Sequence, residues 1–151
     1  MAEFSFYQLL RTPLEQALPK ILEKVRELDL NAVVVLGSEA RVESLSHVLW
    51  TYDPASFLAH GSARDGDPGE QPIWLTERDE NPNGAQVVVL ADGATVAAPE
   101  RYQRCIEIFD GRDDVATAAA RERYRLAKDA GHALKYFRQS ERGWELGASS
   151  A

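Results

Sequence analysis

The run Ala32-Val33-Val34-Val35-Leu36 constrains this chain more than any other feature. Its five apolar residues show no polar alternation, so both sides of the strand they form must be covered. A strand covered on both sides belongs in a parallel sheet with helices on its two faces. The residues around it agree. Glu3 to Leu9 contains Phe4-Ser5-Phe6-Tyr7, rich in strand-favouring aromatics. Thr12-Pro13-Leu14-Glu15 then predicts a helix start, with Thr12 as cap, Pro13 in the first helical position and Glu15 closing a capping box. Leu14, Leu18, Ile21, Leu22, Val25 and Leu28 follow at three- and four-residue spacing, one apolar helix face. Pro19 within that run predicts a kink or an irregular turn. After the valine run, Gly37-Ser38 closes the strand and Ser38 caps a helix through Leu45 and Leu49. Strand, helix, strand, helix in this order predicts a three-layer α/β/α sandwich on a mostly parallel sheet.

The remaining chain extends the pattern. Pro54 to Glu70, with Gly61, Gly66, Pro68 and Gly69, reads as a loop. Pro72–Thr76 and Gln86–Leu90 read as short strands separated by Asn81-Pro82-Asn83-Gly84, and Arg104 to Phe109 as another. Asp113 or Asp114 caps a long Ala-rich helix that stops near Gly131. Ala133–Gln139 reads as a last strand. No repeat or linker divides the 151 residues, so one domain is expected over 1–146, with a flexible tail at 147–151.

Several kinds of chemistry are searched for and not found. The first strand–helix turn, Leu10-Arg11-Thr12-Pro13, has neither G-x-G-x-x-G nor G-x-x-x-x-G-K-[ST], so no glycine backbone is offered to phosphates. Ser38 follows Gly37, but the G-x-S-x-G of a nucleophile elbow is absent. His47, His60 and His132 have no metal-ligand spacing. Cys105, the only cysteine, sits among apolar neighbours and reads as core filler. Asp113 and Asp114 read as helix capping before they read as a catalytic pair. No enzyme, cofactor or metal is expected. Met1-Ala2-Glu3-Phe4 lacks a basic region leading into an apolar stretch, and with the lone cysteine this predicts a cytoplasmic protein.

Charge is more informative. The net charge of −7 disfavours a general nucleic-acid binder, which needs surplus Lys and Arg. Yet residues 1–100 hold 7 basic and 16 acidic side chains, while residues 101–151 hold 10 and 8. Within the basic end, Arg121, Tyr124, Arg125 and Lys128 lie at i, i+3, i+4 and i+7, one helix face. Three cations around an aromatic ring make either a receptor for an acidic peptide with an apolar end or a solvated basic face. A second feature is Leu49-Trp50-Thr51-Tyr52-Asp53-Pro54-Ala55-Ser56-Phe57-Leu58, whose large side chains crowd a helix end and the loop after it. They form either a satellite core or an interface anchor.

These residues meet a family. Phe6-Tyr7, Leu49-Trp50…Pro54…Ser56-Phe57…His60-Gly61, Gln71-Pro72, Asn81-Pro82-Asn83, Phe109-Asp110 and Ala120-Arg121-Glu122-Arg123-Tyr124 resemble the pattern of the chi subunit of bacterial DNA polymerase III, in order and over nearly the whole chain. Ala59 departs from it, since many relatives have proline before the histidine. The resemblance implies a Rossmann-like fold without enzymatic activity. It implies an adaptor between the clamp loader and the acidic, phenylalanine-ending tail of the single-stranded DNA-binding protein. The tail-binding positions carry over to Arg121, Tyr124, Arg125 and Lys128, and the contacts with the psi subunit to Trp50 and Phe57. Two other classes stay open from the residues: a single-stranded DNA binder stacking bases on Tyr136, Phe137 and Trp144, and a flavodoxin-like small-molecule enzyme.

Overall fold

In a computed structural model of the protein, which describes residues 2–53 and 58–150, eight strands form one sheet with helices on both faces. The elements run β1 (Glu3–Leu9), α1 (Leu14–Glu27), β2 (Ala32–Val35), α2 (Glu39–Thr51), β3 (Gly61–Ser62), β4 (Ile73–Thr76), β5 (Val87–Leu90), β6 (Arg104–Asp110), α3 (Asp114–Asp129), β7 (Ala133–Ser140) and β8 (Gly143–Ser150). Single turns of 3-10 helix occupy Pro68–Glu70 and Pro99–Arg101. The sheet order is β3-β4-β2-β5-β6-β1-β7-β8, and every pairing is parallel except the antiparallel β7–β8 edge. The three-layer α/β architecture expected from the valine run is the one observed.

That run sits where its composition requires. β2 lies between β4 and β5, and all four of its residues are buried. Successive side chains leave a strand on opposite faces, so the sheet divides the core in two. On one face, Val34, Val89, Ile106 and Ile108 meet the apolar stripes of α1 and α2. On the other, Val33, Val35, Val88, Phe4, Phe6 and Cys105 meet α3. Cys105 is buried core, and burial pushes its thiol up to about 12, leaving no thiolate to react at neutral pH.

Four local expectations are corrected. Thr12 does not cap α1: Pro13 occupies the cap position, and Glu15 reaches Arg41 of α2 at 2.6 Å instead of turning back. α1 stays helical across the buried Pro19, with no irregular turn there. The stretch read as a loop after Asp53 contains the short edge strand β3. Residues 147–150 continue β8 along β7, where a tail was expected. Phe57 lies outside the described residues.

Candidate functional site

α3 begins where Asp113 Oδ1 accepts the backbone N–H groups of Val115 and Ala116, at 2.9 and 3.2 Å. The carboxylate thus acts as a cap. The helix stops at Gly131, whose φ of +85° glycine adopts without a Cβ clash. Between these ends α3 crosses β6, β1 and β7. Only Ala120 and Ala127 are buried, and side chains that small bring the helix axis close to the sheet.

Close approach places Tyr124 on a strand surface that is itself aromatic. Its ring meets Phe6 of β1 edge-on, centroids 5.4 Å apart, and Tyr136 of β7 at 5.9 Å. Tyr136 donates its hydroxyl proton to Gln8 Oε1 at 3.0 Å, and Arg121 stands close to that hydroxyl. Burial pushes the Tyr136 hydroxyl upward in pKa, while Arg121 and the nearby Arg138 pull it down. Arg121 and Tyr124 therefore stand together, as the helical spacing expects, and Tyr136 and Arg138 complete a cluster that spacing within one helix could not reveal. Period-two alternation along β7, which puts 136 and 138 on one face, is the signal that would have found them.

The other two predicted residues behave differently. Arg125 is exposed and held in place by its own helix, through Glu122 at 2.5 Å and Asp129 at 3.0 Å. This pairing lowers the Glu122 pKa and raises that of Arg125. Lys128 is exposed and, with Arg121, forms no ion pair among the described residues.

Trp50 lies far from this cluster. It lies in the last turn of α2, which packs on β3 and β4 at the opposite edge and on the opposite face of the sheet. The indole is 50% exposed and tilts over His60, centroids 4.3 Å apart. His60 is fixed beneath it by the Leu58 carbonyl at 2.8 Å and by Ser46 at 3.1 Å. Trp50 is therefore an anchored platform, and its neighbour in sequence reasoning, Phe57, falls outside the described residues.

The ends of the strands, where this fold holds nucleotides, are built differently here. A cleft of about 650 Å³ opens there, and its wall is cross-paired, Arg41 with Glu15 and Asp92 and Arg112 with Asp110. The backbone N–H groups of Leu10, Arg11 and Thr12, in the first strand–helix turn, all donate to Gln139 Oε1 at 2.8 to 3.0 Å. In the second turn, the Gly37 N–H donates to Asp92 Oδ2 at 3.2 Å. The amides that would cradle a phosphate are already satisfied, and one is satisfied by a carboxylate that repels it. Among the described residues, no group of three His, Cys, Asp or Glu side chains could hold a metal ion. No helix among them is long and apolar enough to cross a membrane.

The aromatics of the base-stacking alternative are divided as well. Phe137 stacks on Tyr7 at 4.8 Å and Trp144 meets Tyr7 edge-on at 4.9 Å, whereas Tyr136 packs on the α3 face. The three rings form no common platform.

The molecule is thus an α/β sandwich domain of Rossmann-like architecture whose turn amides are self-satisfied and whose aromatic surface features lie at opposite edges of one sheet. The family follows from comparison with known proteins: the family model described as DNA polymerase III chi subunit, HolC, matches residues 1–135, and the chain belongs to that family. A relative from Rickettsia prowazekii (strain Madrid E), named "Probable DNA polymerase III subunit chi", is 30% identical over 109 residues. That match covers 72% of this chain and 66% of the relative, just under two thirds of its length. β1 through α3, with Arg121, Tyr124, Arg125 and Lys128, falls inside the matched family segment, while most of β7 and all of β8 lie beyond it.

Proposed function

We propose that this protein is a non-catalytic adaptor of the DNA polymerase III assembly, acting in the cytoplasm to link the clamp loader to the acidic C-terminal tail of the single-stranded DNA-binding protein. The observation that carries the reading is the Arg121–Tyr136–Tyr124 cluster: a cation and two edge-packed rings at the surface of a protein whose net charge is −7. The tail's aspartates pair with Arg121, Lys128 and Arg125, the last by exchange from its helical carboxylates. The terminal phenylalanine lies against Tyr124, and a neighbouring cation takes its carboxylate. A few such contacts yield micromolar affinity, about 8 kcal/mol. Exposed charges are screened over roughly 8 Å at physiological ionic strength, so added salt weakens binding. The second surface, Trp50 with Phe57, faces the clamp loader through a psi-type subunit. The placement of Trp50 at the other edge of the sheet lets both partners bind at once.

The test is titration of the full chain with a fluorescent acidic peptide ending in phenylalanine, beside the same peptide lacking that residue. Arg121→Ala combined with Arg125→Ala, both exposed positions, is expected to weaken binding at least about tenfold, a loss of about 1.4 kcal/mol, without shifting the melting temperature. Unchanged affinity in the double variant would remove the cluster from the binding site.

A further inference from the structure

A peptide that ends in phenylalanine carries its last negative charge on the same residue as its ring. The cation that takes this carboxylate must therefore stand beside the Tyr124–Tyr136 corner. Arg125 is tied to Glu122 and Asp129, and Lys128 sits a turn beyond Tyr124 along α3. Arg121 meets the condition, close to the Tyr136 hydroxyl. A second cation comes from the sheet. Arg138 lies two residues after Tyr136 on β7, hence on the same face, and beside Gln8 in the parallel register with β1. Arg138 is exposed, and neither it nor Arg121 forms an ion pair among the described residues. Glu145 stands opposite Arg138 in the β7–β8 ladder but does not close on it. β8 leaves the guanidinium room: a Cβ at Gly147 would fall 3.4 Å from Arg138 Nε and 3.6 Å from Nη2. Burial raises the pKa of the Tyr136 hydroxyl and both arginines lower it, so both charges act on one phenol. Two guanidinium groups so placed repel each other, and a carboxylate seated between them replaces that repulsion with two attractions.

We propose that Arg138 and Arg121 together hold the terminal carboxylate of the acidic tail, with its phenylalanine ring in the corner between Tyr124 and Tyr136. The assignment rests on the peptide-receptor reading of this surface and adds a residue from outside α3. Planar guanidinium forks match the two oxygens of a carboxylate, a geometry that neither Lys128 nor the occupied Arg125 offers. Residue 138 lies beyond the segment matched by the family model, so this contact belongs to the β7–β8 hairpin of this chain.

The experiment titrates the full chain with two fluorescent peptides, an acidic one ending in phenylalanine with a free carboxylate and the same sequence ending in a carboxamide. The unaltered chain is expected to favour the free acid about tenfold, the effect of one charge-assisted contact. Arg138→Gln should weaken the free acid about tenfold and leave the amide nearly unchanged. Arg142→Gln, the same charge change in the exposed β7–β8 turn, should leave the preference intact. Gly147→Val places a side chain where the guanidinium lies and should lower the preference with every charge kept. Equal affinity of the unaltered chain for the two peptides, a preference that survives both Arg138→Gln and Gly147→Val, or an equal loss in Arg142→Gln would overturn the proposal and leave the peptide receptor standing. No saturable binding of either peptide to the unaltered chain would overturn both.

Discussion

On one face of the sheet, α1 alone buries Leu14, Ala17, Leu18, Pro19, Ile21, Leu22 and Val25; on the other, α3 buries only Ala120 and Ala127. The two faces are equally apolar on the strand side, each displaying valines from β2 and β5. What differs is the cover. Two helices with large side chains close most of the first face. One alanine-rich helix sits close on the second and is too narrow to close it, leaving the Tyr124–Tyr136 cluster on one flank and an apolar cavity beside Leu126 on the other. Coverage, more than the sheet itself, decides where this molecule has surface chemistry to offer.

Large-to-small replacement on the closed face should produce the greatest effect. Leu22→Ala, at a fully buried position, is expected to cost about 2–5 kcal/mol, read as a fall in the urea midpoint. A cost well below that would mean that the closed face is looser than its burial implies. On the α3 face the informative change runs the other way. Ala120→Leu inserts volume where helix and sheet touch and should cost about 1–3 kcal/mol, with faster amide exchange along α3. A stabilised variant would break the comparison, because it would mean that α3 stands off the sheet.

The smallest effect concerns the ion pairs that tie the closed face together. Arg41 bridges Glu15 at 2.6 Å and Asp92 at 3.1 Å. The hydrogen bond from Arg41 holds the Glu15 carboxyl below its ordinary value of 4.5. A folded-state pKa below the unfolded one adds stability that is present above 4.5 and lost as pH falls through the depressed value. Glu15→Gln should therefore flatten the acid limb of the stability profile. Both groups are partly exposed, so the difference at neutral pH should stay below about 1 kcal/mol. Superimposable acid limbs would show that Arg41 does not bind Glu15 in solution.

What the sequence disclosed follows the same division. β2, the apolar stripe of α1, the Asp113 cap and the Gly131 stop are all local patterns, readable within one or two helical turns. Arg121 and Tyr124 were legible as one face because both belong to α3. Their partner Tyr136 was not, since it arrives from a different strand. Thr12 and Glu15 matched a capping box, but Gln139 and Arg41 compete for those roles from 127 and 26 residues away. Arg125 was read as available although Glu122 and Asp129, at i−3 and i+4, are in plain view for pairing. β8 escaped because its Gly143-Trp144-Glu145-Leu146 start becomes a strand only by antiparallel pairing with β7. Glu107 looked like an ordinary strand residue, and its burial against Arg123 depends on where α3 crosses.

The Gln139 contact also bears on when this protein can fold during its synthesis. β1 is the first strand made, yet it pairs on one side with β6 and on the other with β7. The turn after it is fastened by an amide synthesised 127 to 129 residues later. An emerging amino-terminal half therefore exposes Phe4 and Phe6 with neither neighbouring strand available, and its first turn has no clamp. β1 has to wait for β6, β7 and Gln139, which makes this a domain completed late in its synthesis and a client for whatever shields apolar strands until then.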